Sequence, residues 1–198
     1  MRRLSLFPHD KRQRGQNLVE FAMVLPVFAV MLAAILEFGF AFDADLALEA
    51  ASRQGARTGA ALGNDGTQGI CPNALAATTV DPGIVNAVQA SLTNAGVDLT
   101  SVQITIYLAD PNGNNTTGSF NTFAWVNGSP TGHFNETAHH WDACGRHDGT
   151  FGGGIYDDVG VQVQFVYHSQ TGLLSFFTGG LSMSARAIMP IGPPWTLQ

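Results

Sequence analysis

An uncharged apolar stretch near the N-terminus most constrains what this chain can fold into. From Phe21 to Leu36 sixteen residues carry no charge, and continuing to Phe42 adds only Glu37. That length approaches the ~20 residues that a helix needs to cross the hydrocarbon core of a bilayer. A secretory signal peptide has a similar basic start and apolar centre, but no Ala-x-Ala pair follows before Gly63. We therefore predict a retained transmembrane helix.

Charge is distributed unevenly along the chain. Residues 1–15 sum to +4, whereas the residues after Gly15 sum to −10 and contain four arginines and no lysine. The positive-inside rule keeps the basic segment in the cytoplasm and puts the residues beyond the apolar stretch across the membrane. The acidic region after Gly15 lacks the cationic surface that binds a phosphate backbone, which excludes nucleic acid as a partner. The absence of lysine also excludes Schiff-base chemistry there.

The helix is expected to extend well past the apolar stretch. Between Leu18 and Leu62 only Pro26 and a few glycines interrupt a helical pattern. Small residues recur at every fourth position and line one side of a helix: Ala47, Ala51, Gly55, Gly59 and Gly63. Such a face lets another backbone approach closely. The alternative is an alanine-rich helix with incidental glycines, although each glycine costs about 1 kcal/mol there relative to alanine.

The rest of the chain predicts one short helix and a small antiparallel sheet. Residues 81–96 begin with Asp81 and Pro82, carry one apolar face and end in glycine, which is typical of a helix. Residues 101–110, 159–168 and 181–191 alternate apolar and polar side chains as strands do, and residues 120–128 form a weaker fourth. Gly, Asn, Thr and His between Asp110 and Gly154 predict long turns around that fourth strand. The fold class is therefore α+β.

Two sets of residues could carry chemistry. Cys71 and Cys144 both follow the apolar stretch, where an oxidising compartment favours one disulfide, and two unpaired thiols are the alternative. Donors suited to zinc cluster in one segment: His139, His140, Asp142, Cys144, His147 and Asp148. Their spacing matches no closed zinc motif. We favour a polar loop around the disulfide, and we predict no metal, no cofactor and no catalytic residue.

The segment from Arg14 to Arg57 resembles a known family of pilus proteins. Basic residues precede Gly15, and Glu20 is fifth in a chain that would begin at Gln16, as in the class III signal peptides that prepilin peptidases process. The continuation is similar to TadE-like pseudopilins, minor pilins of the tight-adherence (Flp-type) pilus. The shared motifs occur in the family's order: Arg14-Gly15, Val19-Glu20-Phe21, Leu25-Pro26, Glu37-Phe38-Gly39 and Gly55-Ala56-Arg57. The strand at 181–189 resembles the family's last strand more loosely.

This resemblance implies a processed, single-pass membrane protein with a pilin-like domain. Residues 1–15 would be a basic cytoplasmic leader, 16–42 the transmembrane helix, 43–63 its helical extension and 64–198 a periplasmic or extracellular α+β domain. Cleavage would fall between Gly15 and Gln16, followed by methylation of the new amino terminus. The implied partners are the prepilin peptidase, other pilin and pseudopilin subunits, the inner-membrane assembly platform and membrane lipid. The implied location is the cytoplasmic (inner) membrane, or a pilus that incorporates the chain.

Two carboxylates and a proline in the long helix are candidate assembly residues. A carboxylate in hydrocarbon is costly unless it is paired, so it marks a partner. We expect Glu20 to pair with the new amino terminus of a neighbouring subunit and to set the axial stagger of packed helices. Pro26 removes one helical hydrogen bond and is expected to kink or locally melt the helix. Glu37 is either a packing residue or a headgroup-level residue without a partner.

The sequence thus favours a noncatalytic structural protein that takes part in the assembly of a tight-adherence pilus. In that hypothesis Glu20, Pro26, Glu37, Gly55 and Gly59 serve subunit registry and helix packing. The alternative is a membrane-anchored extracytoplasmic binding or metal-dependent domain that uses the loop from His139 to Asp148.

Overall fold

One long helix and one antiparallel sheet organise the protein. The computed structural model describes residues 13–63, 80–127, 132–147, 149, 156–170 and 180–192. The helices are α1 (Gln13–Leu62) and α2 (Val80–Asn94). The strands are β1 (Val102–Leu108), β2 (Phe120–Val126), β3 (His133–His139), β4 (Asp158–Tyr167) and β5 (Leu181–Pro190). The α+β class with a long N-terminal helix and a small antiparallel sheet is confirmed.

Helix α1 divides into an exposed N-terminal half and a C-terminal half that packs on the domain. It contains 50 residues, which corresponds to a rod about 75 Å long. No residue from Asn17 to Leu36 is buried, whereas Leu48, Ala51 and Ala56 are fully enclosed. The helix continues through Pro26, so the expected local melting does not occur there.

The five strands form a single antiparallel sheet in the order β3-β2-β1-β4-β5. At its centre Ile104 of β1 lies opposite Phe123 of β2 on one side and Val163 of β4 on the other. Alternate residues of β1 and β4 point toward α1 and α2 and are buried with them, as the alternating pattern predicted: Val102, Ile104, Ile106, Val159, Val161, Val163 and Phe165. The core therefore lies between the two helices and one face of the sheet.

Two glycines of α1 mark the closest approach between the helices and the sheet. A Cβ atom added at Gly55 would lie 2.6 Å from Cγ2 of Val88 on α2 and 3.0 Å from Cγ1 of Val161 on β4. One added at Gly59 would lie 3.0 Å from Cδ1 of Ile84 and 3.3 Å from Cγ1 of Val159. The contacts of Gly55 with Val88 and of Gly59 with Ile84 make the two helices antiparallel. The surface on which these small residues pack thus belongs to the same chain.

Strand β3 lies in the segment for which only long turns were predicted, so that part of the prediction is wrong. Its sequence, His133–His139, is mostly polar, and most of its residues are exposed. The strand stands at the edge of the sheet and pairs only with β2 among the described strands. An edge strand buries few side chains, so its sequence gives a weak alternating signal. Phe134, whose ring lies edge-on 5.2 Å from the ring of Trp125, is its main apolar contact.

A buried polar network joins α2 to the sheet. Arg146 Nη2 donates to Oδ1 of Asp81 at 2.6 Å, and Asn121 Nδ2 donates to Oδ2 of the same carboxylate at 2.6 Å. The guanidinium also stacks on Trp141, 4.2 Å from the ring centroid. Asp81 was predicted only as a helix cap. Its tertiary role was missed because Asn121 and Arg146 lie 40 and 65 residues further along the chain.

We predict that Gly55→Ala lowers the free energy of unfolding by about 1–3 kcal/mol, because the new methyl group collides with the stiff, buried side chain of Val88. Gly39→Ala is the matched control, since it lies in the same helix and its added Cβ meets nothing within 4 Å. That control gains helix propensity without a clash and is expected to be neutral or slightly stabilising. Thermal unfolding of the full chain in detergent, followed by circular dichroism, measures both, and Val88→Ala should partly rescue Gly55→Ala. Equal stability of the two alanine variants contradicts the prediction.

Candidate functional site

The exposed half of α1 is the most unusual surface of the molecule. Every large apolar side chain from Leu18 to Leu36 is exposed, including Leu18 at 70% and Phe21 at 65%. A water-soluble domain rarely leaves so extended an apolar surface uncovered, because its burial is the main favourable term in folding and association. This half of the helix therefore requires an apolar environment or apolar partners.

The length and composition of this surface match a bilayer. The helix from Asn17 to Leu62 contains an 18-residue window of mean hydropathy 2.5, and none of that window is buried within the chain. The 20 residues from Asn17 to Leu36 rise about 30 Å, the thickness of a hydrocarbon core. A single N-terminal apolar helix of this kind fits a single-pass membrane protein.

The residues of the predicted processing site lie in the first turns of α1. Gly15 is the third helical residue, Gln16 follows it, and Glu20 is exposed one turn further on, at the edge of the apolar surface. A Cβ added at Gly15 would meet no atom within 4 Å. The first four backbone N–H groups of a helix have no intrahelical acceptor, so this turn can unwind with the loss of few hydrogen bonds.

Glu37 is the first buried residue among the α1 side chains that the structure describes, and only 1% of it is exposed. The Tyr167 hydroxyl donates to Glu37 Oε1 at 2.9 Å, and the backbone N–H of Gln170 donates to the same oxygen at 3.0 Å. A buried carboxylate is stable only when such donors compensate for lost hydration. The hypothesis of a headgroup-level residue without a partner is therefore wrong, because Glu37 packs at the point where the domain first meets the helix.

The Tyr167 side of this contact was missed by the sequence analysis. Burial, and then the hydrogen bond with Glu37, raise the pKa of Tyr167 to about 12, so the hydroxyl keeps its proton and remains a donor at neutral pH. The available signal was weak but real. Tyr167 occupies an inward position at the end of β4, and a buried tyrosine hydroxyl usually needs a polar partner. Only the fold reveals that the partner is Glu37.

The histidine-rich segment does not gather its side chains at one point. His139 lies between two carboxylates, with Nδ1 2.6 Å from Glu136 Oε1 and Nε2 2.7 Å from Asp142 Oδ1. The hydrogen bond with Asp142, and then the one with Glu136, raise the pKa of His139. The His140 ring instead contacts Phe120, with ring centroids 4.9 Å apart, and His147 Nδ1 lies 3.2 Å from Asp157. The three imidazoles thus serve three separate structural contacts.

Within the described ranges no group of three or more His, Cys, Asp or Glu residues could hold a metal ion. Both ring nitrogens of His139 are already bonded to carboxylates, so a metal would have to displace one of them. Cys71, Asp148 and the Cys144 side chain lie outside the described residues. The disulfide between Cys71 and Cys144 therefore stays a prediction.

A groove between α1 and α2 is the second notable surface of the long helix. It has a volume of about 590 Å³ and is lined from α1 by Ala50, Arg53, Gln54 and Arg57 and from α2 by Ala87, Ala90, Ser91 and Asn94. The Arg53 guanidinium pairs with Glu49 one turn earlier, and both side chains are about half exposed. The groove is thus lined mainly by small side chains and by two arginines.

Comparison with known proteins gives a match that covers most of the long helix. A family model described as TadE-like protein matches residues 15–57. No curated protein and no solved structure matches the chain. The matched segment contains the whole exposed apolar surface, the buried Glu37 and the close contact at Gly55. The predicted resemblance is confirmed over this segment.

We predict that Glu37→Ala destabilises the chain by about 1–3 kcal/mol, because the Tyr167 hydroxyl and the Gln170 N–H then lose a buried acceptor. Glu37→Gln is the matched control, since it keeps a carbonyl oxygen of similar reach and should lose less. Tyr167→Phe tests the same contact from the other side. Unfolding of the full chain in detergent measures these effects, and in the Tyr167→Phe background Glu37→Ala should lose less than in the wild type. Equal losses in the two backgrounds argue against the contact.

Proposed function

We propose, on the premise that residues 15–57 match the TadE-like family, that the chain is a single-pass membrane subunit that takes part in assembly of a tight-adherence (Tad) pilus. One observation carries the proposal: the segment that matches the family includes all of the apolar surface that the fold leaves exposed from Leu18 to Leu36. In this role lipid, and then the apolar helices of other pilin and pseudopilin subunits, cover that surface.

The proposed orientation follows from charge. Residues 1–15 carry +4, and short basic segments beside a membrane helix stay cytoplasmic. The domain formed by α2, the sheet and the second half of α1 would then lie on the periplasmic or extracellular side of the cytoplasmic membrane. The proposed partners of the whole chain are the prepilin peptidase, the inner-membrane assembly platform and other pilin subunits.

The proposed processing step cuts between Gly15 and Gln16. A peptidase needs an accessible, locally extended backbone, and the bond lies in a helical turn that has few internal hydrogen bonds to lose. Gly15 adds no side chain at this point and makes no close contact. Removal of the leader also removes its positive charge, which otherwise ties the helix to the cytoplasmic surface.

The proposed registry contact uses the amino terminus that the cut creates. Glu20 is exposed at the start of the apolar surface, where ionisable residues usually mark a functional contact. The amino group of Gln16 in a neighbouring subunit is a cation at the matching depth of the membrane. An ion pair between them would fix the axial displacement of one apolar helix relative to the next.

The domain end of the molecule supports a structural role. Glu37, with Tyr167 and Gln170, fixes the sheet to α1 at the membrane boundary. Gly55 and Gly59 bring α2 and β4 against the same helix. A subunit built in this way would transmit the position of its apolar helix directly to its domain.

We predict that the mature chain in membranes begins at Gln16. Intact-mass spectrometry of the protein purified from cells with an active prepilin peptidase should show the loss of residues 1–15. Cells without that peptidase should retain them. A stable chain that still carries residues 1–15 in the presence of the active peptidase contradicts the proposed function.

We further predict that Glu20→Ala impairs pilus assembly without preventing membrane insertion, because the alanine is easier to insert but leaves the neighbouring amino group unpaired. Asp43→Asn is the matched control, since this carboxylate lies on the same helix beyond the apolar stretch. Pilus counts by electron microscopy and membrane fractionation measure the two effects separately. Normal assembly in the Glu20→Ala strain argues against the registry role.

A further inference from the structure

The groove between α1 and α2 is a basic site on an acidic domain. After Gly15 the chain has four arginines and a net charge of −10. Two of these arginines, Arg53 and Arg57, line the groove and are exposed, and Arg53 also pairs with Glu49 of its own chain. A third, Arg146, is buried against Asp81. A partner that enters this groove should therefore be acidic and should present side chains that fit over small residues.

The same helix presents such a surface closer to the membrane. Asp45 and Glu49 are exposed there, beside the exposed apolar side chains of Phe42 (64%) and Leu46 (49%). Asp45 precedes Arg53 by eight residues, and Glu49 precedes Arg57 by the same eight. The same offset sets bulky Phe42 opposite small Ala50, which lines the groove. One displacement therefore matches two charge pairs and one pair of large and small side chains.

We propose that this groove receives the exposed surface from Phe42 to Glu49 of a second copy of the chain. The second copy lies parallel to the first and is displaced outward by eight residues, or about 12 Å along the helix axis. Its Asp45 and Glu49 approach Arg53 and Arg57 of the first copy and extend the ion pair that Glu49 and Arg53 form within each chain. The parallel arrangement rests on the proposed function, in which both helices cross the same membrane in the same direction.

The geometry makes this contact heterologous, because the two surfaces that meet are different parts of α1. Eight residues correspond to about 800° of helix rotation, so the acidic and basic surfaces lie about 80° apart around α1. Each copy can therefore use its acidic surface on one neighbour and its groove on another. Such a heterologous contact does not close on itself unless its rotation forms a ring, and it can extend along a filament.

Lipid phosphate would be the other acidic ligand for two arginines, but its position is unfavourable. Glu37 marks where the domain begins, and Arg53 and Arg57 lie 16 and 20 residues beyond it. Those residues rise about 24 Å and 30 Å along the helix. Headgroups at the membrane boundary therefore do not reach the groove, whereas the helix of a parallel neighbour does.

A charge-reversal pair of variants tests the contact. In variant A, Arg53→Glu and Arg57→Glu make all four partner positions acidic; in variant B, Asp45→Arg and Glu49→Arg make all four basic. Neither variant should associate with itself, because like charges would meet. A mixture of A and B restores opposite charges at every contact. Asp43→Arg is the control, since it adds the same charge on α1 but position 51, eight residues on, is a buried alanine.

A pair of introduced cysteines supplies the measurement. Leu46→Cys in one tagged copy and Gln54→Cys in a differently tagged copy are also eight residues apart, and both positions are exposed. Cross-linking of the full-length chains in membranes should give a heterodimer that requires both introduced cysteines. Its yield should fall roughly tenfold or more in A alone or B alone and should recover in the mixture. High salt should weaken it.

Several outcomes overturn the proposal. If the cross-link yield is the same in variants A and B as in the wild type, the proposed ion pairs do not hold the contact together. If the yield falls in A and in B but does not recover in their mixture, these carboxylates and arginines do not pair with each other. A lower cross-link yield in variant A with no change in variant B means that the two arginines are needed but the two carboxylates are not. That result is expected if the arginines bind a lipid phosphate. Leader removal, measured in the same membranes, reports on the proposed function separately. A normal mature chain without the specific cross-link therefore rejects the groove contact alone.

Discussion

The close approach of α1 to α2 and β4 at Gly55 and Gly59 is the contact on which the rest of the structure depends. A side chain at Gly55 would have to displace Val88, whose Cγ2 lies 2.6 Å from the added Cβ, and one at Gly59 would have to move the end of Ile84 by a few tenths of an ångström. The second half of α1 thereby becomes part of the core. Because α1 is one continuous helix, fixing that half also fixes the direction in which the exposed apolar half leaves the domain. A flexible joint between the two halves of α1 would let the exposed half change direction independently of the domain.

The buried Glu37 determines where along the helix the domain ends. Its carboxylate accepts hydrogen bonds from the Tyr167 hydroxyl and the Gln170 N–H. A slip of α1 by one turn would set Ala33 or Ala41 against these donors and would leave them without an acceptor, at a cost of about 1–3 kcal/mol for each buried group. Hydrophobic contacts among alanine and valine tolerate such slips more easily. The polar contact therefore adds positional specificity that the apolar core does not supply.

The elements with strong periodicity could be predicted from the sequence, and those that depend on distant partners could not. The apolar run and the spacing of Gly55 and Gly59 predicted α1, and strict alternation predicted β1, β4 and β5. Strand β3 was missed because an edge strand with mostly polar residues gives only a weak alternating signal. The Asp81 pair with Arg146 was missed because sequence separation hides which charges meet. For Glu37, the sequence indicated a residue that needs an explanation but did not name Tyr167.

A single rigid helix also constrains how its assembly contacts combine. Glu20 comes level with Gln16 of a neighbour when that neighbour is displaced outward by four residues, or about 6 Å, and the groove contact requires about 12 Å in the same direction. Since neither end of an unbroken helix shifts without the other, one neighbour cannot adopt both displacements. A regular stack with a step of about 6 Å puts the second neighbour at about 12 Å. The registry contact and the groove contact would therefore involve different neighbours along the stack.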